Sequence, residues 1–350
     1  MSELFLWDVE PPITRDYAGP RVAVRRKRRQ LPAVLDVALY FFILMGAVDM
    51  YVEYQVKPDP PRLSAPVLAG SLHVGGLDRS YRAFVPAHLP KGAPLLLVFH
   101  GSAATPEEMR MFTGYEFDKL ADQHGFAVVY PAGFQGNWND CRKNIAFPAR
   151  TQNVDDKALV RALIARFRQS HDIDPQRVFA MGFSNGGHFA YRLALEMPEE
   201  IAAVSAVAAS MPTEDNNICQ VQPKPVPVLI MNGTGDPINP FVGGEVTLYG
   251  LGSRGTVHSA RESAAYFAKR WGLGAAPEVV QLPHLEPRDP TTVERWSWGG
   301  APPKVLLFRI QKGGHVIPQP FYRAPRMLGR TSHDVNGPEE IWKFFAAQPS

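Results

Sequence analysis

The chain has 350 residues, of which 45% are hydrophobic and 20% charged, with a net charge of +3. That balance suits a globular body with a sizeable core, in one large domain or two small ones, and excludes an intrinsically disordered chain. Much of the positive excess lies in Arg25-Arg-Lys-Arg-Arg29, and no long basic stripe occurs elsewhere, so nothing points to a nucleic-acid partner. No internal repeat is visible, and many of the 33 prolines stand at strand ends, as in long ordered loops.

The basic run precedes an apolar stretch, residues 37–48, bracketed by Asp36 and Asp49. It is shorter than the roughly 20 residues of a full membrane span; extended to 31–56 it is long enough. Basic residues ahead of an apolar run keep the N-terminus in the cytoplasm and send the rest across the membrane. Residues 1–56 therefore read as a basic segment plus a signal or anchor helix, and no clean small-residue cleavage site follows them. The alternative is a helix buried before the domain. The expected location is extracytoplasmic, periplasmic or secreted, with 31–56 as an inner-membrane tether in the anchor reading. Residues 57–69, rich in proline, read as a semi-extended linker, and 70–350 as the domain.

Within that domain, 71–76 and 81–86 flank a turn and read as an antiparallel pair. Residues 94–99 form a continuous apolar strand, as expected where both sheet faces are covered. A helix over 107–123 and a strand over 126–130 follow. Residues 154–169 are amphipathic, with Leu159, Leu163, Ile164 and Phe167 at helical spacing. Next come a strand over 177–182, a helix over 187–196, strands over 202–209 and 226–231, and a helix over 256–271. Strands over 291–298 and 305–310 and a helix over 338–346 close the pattern. Strands alternating with helices predict an α/β fold with a mostly parallel central sheet flanked by helices on both faces.

Gly182-Phe-Ser184-Asn-Gly186-Gly187 is a G-x-S-x-G pattern between a strand and a helix. It reads as a nucleophile elbow, a sharp turn that lifts a serine hydroxyl above the sheet. A serine needs a histidine base, and the base needs a carboxylate to fix its tautomer. In this architecture they follow in the order serine, acid, histidine, each beyond the end of a strand. Asp236, in Asn232-Gly-Thr-Gly-Asp-Pro, meets that rule for the acid, ahead of Asp215, Glu214 and Glu245. His315, after Lys312-Gly-Gly, meets it for the base, with His333 as the main rival. His258 is expected inside a helix, and His100 and His188 to be structural. Backbone N–H groups of Asn185 and of Ser102, or failing that Ala103, are the expected oxyanion donors.

The chain resembles the polyhydroxybutyrate depolymerase-like esterases, relatives of the feruloyl and acetylxylan esterases in the α/β-hydrolase superfamily. The resemblance runs over roughly residues 71–345. It rests on His100-Gly-Ser, Val128-Val-Tyr-Pro-Ala-Gly133, Trp138-Asn-Asp140, Val154-Asp-Asp156 and Ile173-Asp-Pro-Gln-Arg-Val178. It continues through the elbow, Gly233-Thr-Gly-Asp-Pro237, Gly313-Gly-His315 and Glu340-Ile-Trp-Lys-Phe-Phe345. It implies that Ser184, Asp236 and His315 form the triad. It also implies that the Trp138-Asn-Asp140 loop lies beside the site, where Trp138 offers an apolar platform and Asn139 a polar handle for substrate. The competing reading of Trp138 is a side chain filling an apolar gap. No polymer-adsorption domain is expected after Phe345, which makes solid polymer a poor substrate.

Cys141 and Cys219 fall in loops expected near the catalytic edge. An even count in an exported chain permits one disulfide, and two free thiols is the alternative. Cysteine–histidine spacings for a metal are absent, so neither metal nor cofactor is expected. The resulting expectation is a serine esterase acting on small acyl, feruloyl or hydroxybutyrate-type esters. Another serine hydrolase, a peptidase or acyltransferase, and a non-catalytic ligand-binding homologue are the alternatives.

Overall fold

The structure is a computed structural model and describes residues 44–46, 48 and 50–349. Most of the expected signal or anchor segment lies outside the described residues. Among the described residues no helix is long and apolar enough to cross a membrane.

Residues from Met50 onward form one compact unit built on a ten-stranded sheet. In chain order its strands are β1 (Leu68–Val74), β2 (Leu77–Phe84), β3 (Leu95–Phe99), β4 (Ala127–Pro131), β5 (Val178–Phe183) and β6 (Ala203–Val207). β7 (Val228–Gly233) follows, and two residues each at Gly244–Glu245 (β8) and Thr256–Val257 (β9) pair apart from the main sheet. The main sheet is completed by β10 (Glu278–Gln281), β11 (Thr292–Trp298) and β12 (Val305–Gln311). Its order is β1-β2-β4-β3-β5-β6-β7-β12-β11-β10. The six strands from β4 to β12 in that order run parallel, and antiparallel strands close both edges. This is the mostly parallel sheet the alternating pattern predicts.

The central strands are apolar throughout because both faces are covered. Leu95, Leu97 and Phe99 of β3 point into one core, with Leu159, Leu163, Phe189 and Phe267. Leu96 and Val98 point into the other, with Phe117, Ile341, Trp342 and Phe345. Period-two alternation along one strand thus feeds two layers. The first layer holds α4 (Asp156–His171), α5 (Asn185–Glu196) and α6 (Ala260–Arg270). The second holds α1 (Pro106–Phe112), α2 (Glu116–His124) and α7 (Gly337–Ala346); the short α3 (Pro148–Thr151) lies in a loop.

Three local expectations change. The helix predicted over 107–123 is two helices, because Gly114 (φ +67°) and Tyr115 (φ 57°) are left-handed and break the ladder. The helix predicted from 256 starts at Ala260, where Ser259 accepts from Glu262 N–H in a capping box, so His258 stands ahead of the helix. β10 is an edge strand, mostly exposed, whose four residues carry too little alternation to be read in advance.

Candidate active site

β3, β5, β7 and β12 end in register along one edge: Phe99 pairs with Gly182, and Gly233 with Ile310. The loops that follow carry every residue singled out for catalysis.

At the end of β5, Ser184 takes φ 54° and ψ −117°, a backbone conformation that a residue with a Cβ rarely adopts. Its N–H is held by Val207 O at 2.8 Å. The flanking glycines are steric necessities. A Cβ on Gly182 would stand 2.0 Å from Gly186 O, and one on Gly186 would stand 2.3 Å from Phe99 O. Helix α5 begins at once, so its first N–H groups point toward the serine.

Ser184 Oγ lies 2.9 Å from His315 Nε2, and His315 Nδ1 lies 2.8 Å from Asp236 Oδ2. The Asp236 carboxylate is fully shielded from solvent. Its other oxygen accepts the N–H groups of Ile238 and Asn239 at 2.8 Å each, so the carboxylate is held in a fixed orientation. The structure therefore brings Ser184, His315 and Asp236 into one hydrogen-bonded chain. His333 is not in it; its N–H donates to Asp289 at the foot of a separate cleft.

For the oxyanion donors, the N–H of Ala103 is occupied by Gly136 O at 2.8 Å. Among the described residues, the N–H groups of Ser102 and Asn185 meet no protein acceptor, which leaves Ser102 and not Ala103 available. His100 closes β3 and is buried. Its Nδ1 donates to Gly101 O, and its Nε2 accepts from Gly133 N–H. Burial pushes its pKa down to about 4, so the ring is neutral and fixes the loop that carries Ser102. His188, wholly buried one turn after Ser184, is driven well below the usual histidine range by burial and then by Arg142.

Trp138 and Asn139 do not form a substrate surface. Trp138 is 0% exposed; it stacks on Phe189, meets Phe99 edge-on, and donates its indole N–H to His100 O. The gap-filling alternative is the one that fits. Asn139 is also buried, with its amide donating to Val154 O and its backbone N–H to Asp156. The expectation that either binds substrate is corrected: no face of either is open to a ligand.

Sequence reasoning missed what this loop does. Asn185 Oδ1 accepts Trp138 N–H, and its Nδ2 donates to Trp138 O and to Asp140 Oδ2. Asp140 in turn pairs with the buried Arg142. Cys141, between them, is bonded to Cys219 with Cα atoms 5.1 Å apart. The nucleophile elbow is thus tied by a side chain to the 137–142 loop, which a disulfide joins in turn to the 217–219 loop. The Asp-x-Arg spacing was the one available signal. Among the described residues there is no cluster of three or more histidine, cysteine or acidic side chains suited to a metal.

A mostly parallel sheet with a strained serine after β5, an acid after β7 and a histidine after β12 is the arrangement of the α/β-hydrolase class. Residues 80–219 match the family described as Esterase PHB depolymerase. Over those 140 of 350 residues the chain is similar to that family of esterases, and it is a carboxylic ester hydrolase. It is 29% identical over 289 residues to the protein named Putative esterase NocK from Nocardia uniformis subsp. tsuyamanensis, covering 79% of this chain and 81% of that one. With Feruloyl esterase B of Piromyces equi it shares 29% identity over 235 residues, 65% of this chain but only 40% of the relative. In fold it is similar to the acetyl xylan esterase from Aspergillus awamori, with a TM-score of 0.53 at 15% identity, covering 81% of this chain and 99% of that one.

Proposed function

We propose that Ser184, His315 and Asp236 hydrolyse a carboxylic ester through an acyl-enzyme. The observation that carries this reading is the unbroken hydrogen-bond chain from Ser184 Oγ through His315 to Asp236, mounted on a strained elbow. Ser184 Oγ attacks the ester carbonyl while His315 Nε2 takes its proton. Asp236 holds the tautomer and stabilises the imidazolium. The N–H groups of Asn185 and Ser102 receive the developing oxyanion. His315 then returns the proton to the departing alkoxide. Water, deprotonated by the same nitrogen, cleaves the acyl-enzyme and regenerates Ser184. No metal or cofactor has a step in this scheme.

A small apolar pocket beside the site is walled by Phe112, Phe183, Val316, Ile317, Tyr322 and Leu328. The Phe183 ring centroid lies 5.1 Å from that of His315. Short, apolar acyl groups match that lining. Curated relatives of this chain are named feruloyl esterase, acetylxylan esterase and poly(3-hydroxyalkanoate) depolymerase, and esters of those kinds are the substrates to try first. The disulfide fits a protein that works outside the reducing cytoplasm, and a tether formed by residues 31–56 remains part of this proposal.

The test is hydrolysis of p-nitrophenyl acetate and butyrate, methyl ferulate and a 3-hydroxybutyrate oligomer, with Ser184→Ala beside the wild type. Turnover should fall by at least about 10³-fold in the variant. Equal turnover in the two would overturn the reading. Product appearing as a transferred ester in added alcohol would shift it to acyl transfer.

A further inference from the structure

A second concave site lies behind the catalytic histidine loop. It is a cleft of about 700 Å³ between the 286–290 turn, the 323–333 strap and Tyr51, a size that accommodates a small-molecule ligand. Four arginines line it: Arg288, Arg323, Arg326 and Arg330. Two acids, Glu286 and Asp289, line it too; both oxygens of Asp289 and one of Glu286 accept backbone N–H groups. Asp289 accepts the N–H groups of Thr291 and His333, and Glu286 accepts that of Arg288. Among the described residues none of the four arginines forms a salt bridge, whereas Arg79, Arg110, Arg142 and Arg309 each do.

The arginines stand on fixed backbone. Arg323 exchanges both backbone hydrogen bonds with Val56. Arg330 O accepts Gly314 N–H, and Leu328 O accepts His315 N–H at 2.6 Å. The Arg326 guanidinium lies over the Tyr51 ring, 4.1 Å from its centroid, a contact that holds a cation in place. Four guanidiniums against two carboxylates leave an excess of positive charge in the concavity, and its field concentrates there. An anion offsets that excess, and arginine forks match carboxylate and phosphate oxygens.

We propose that this cleft binds a ligand carrying two or more carboxylate or phosphate groups. The site is separate from the ester-hydrolysing residues and does not depend on their chemistry. Its strap supplies two carbonyls to the loop that carries His315, so an occupant rests against the wall of the active site.

The test is calorimetric titration of the full chain, in neutral detergent at low salt, with trigalacturonate as the carboxylate probe and pyrophosphate as the phosphate probe. Each is titrated into wild type, Arg326→Gln/Arg330→Gln and Arg288→Gln. The proposal expects at least one probe to bind, to weaken with added salt, and to lose about tenfold or more in affinity in the double variant. Which probe binds identifies the source of the anion. The glutamine at 330 leaves the backbone bond to Gly314 intact, so p-nitrophenyl acetate hydrolysis and melting temperature should match wild type. If the double variant does not fold, Arg288→Gln, on the opposite wall, reads the same loss. Ser184→Ala should bind as wild type does, which separates this site from the esterase reading. Binding of neither probe would overturn the proposal. So would binding that is unchanged in the variants, because the basic run at Arg25–Arg29 would then account for all of it.

Discussion

Asn185 donates from Nδ2 to Asp140 Oδ2 at 2.7 Å, across 45 residues of sequence. The residue that offers its backbone N–H toward the nucleophile therefore also fastens the neighbouring loop with its side chain. Elbow geometry and loop position are one mechanical unit.

Asn185→Ala keeps the backbone N–H but strands Trp138 N–H and one side of Asp140 in a buried setting. Unsatisfied buried polar groups of this kind cost about 1–3 kcal/mol each. The variant should unfold at a clearly lower temperature and lose kcat more than KM, because the elbow shifts while no substrate contact is removed. A thermal melt and steady-state kinetics check both, and an unchanged melting temperature would contradict the linkage.

Trp138→Ala separates packing from substrate binding. Because the side chain is wholly buried against Phe99 and Phe189, its removal should cost about 3–5 kcal/mol of stability. A rise in KM with stability intact would restore the substrate-platform role. Chemical denaturation alongside kinetics on one ester decides the matter.

Reducing the Cys141–Cys219 bond releases a loop of 78 residues. On the chain-entropy argument that is worth about 4 kcal/mol. The melting temperature should fall in dithiothreitol or in Cys141→Ser/Cys219→Ser, with activity at low temperature less affected than stability. Identical melts with and without reductant would refute this.

Acid should destabilise the fold through His100. Its folded pKa of about 4 lies below the ordinary histidine value of 6.5, so between those values the unfolded chain binds the extra proton. Stability from this group is full above pH 6.5 and is lost as pH falls toward 4. The loss is up to about 3 kcal/mol by linkage. His188 acts in the same direction. His100→Gln should flatten the dependence of unfolding free energy on pH across that window. A slope equal to wild type would remove His100 as the cause.

The chemistry was legible where it is written locally. A glycine–serine–glycine turn between an apolar strand and a helix, and an acid and a histidine each placed just past a strand, are short patterns fixed by backbone sterics and strand periodicity. The mostly parallel character of the central sheet follows from the alternation of strands with helices. The split at Gly114–Tyr115 was less legible, since helical spacing of apolar side chains persists across a break that only the left-handed backbone reveals.

What the sequence determined by itself was therefore the fold class, the elbow and the family resemblance, because each rests on residues a few positions apart. The tertiary structure alone decided the rest. The 131 residues between Ser184 and His315 close to a hydrogen bond. Trp138 turns inward, Ser102 rather than Ala103 keeps a free N–H, and four arginines from two separate segments gather in one cleft. Those outcomes depend on which distant groups compete for each side chain and each N–H, and that competition is settled only when the layers pack.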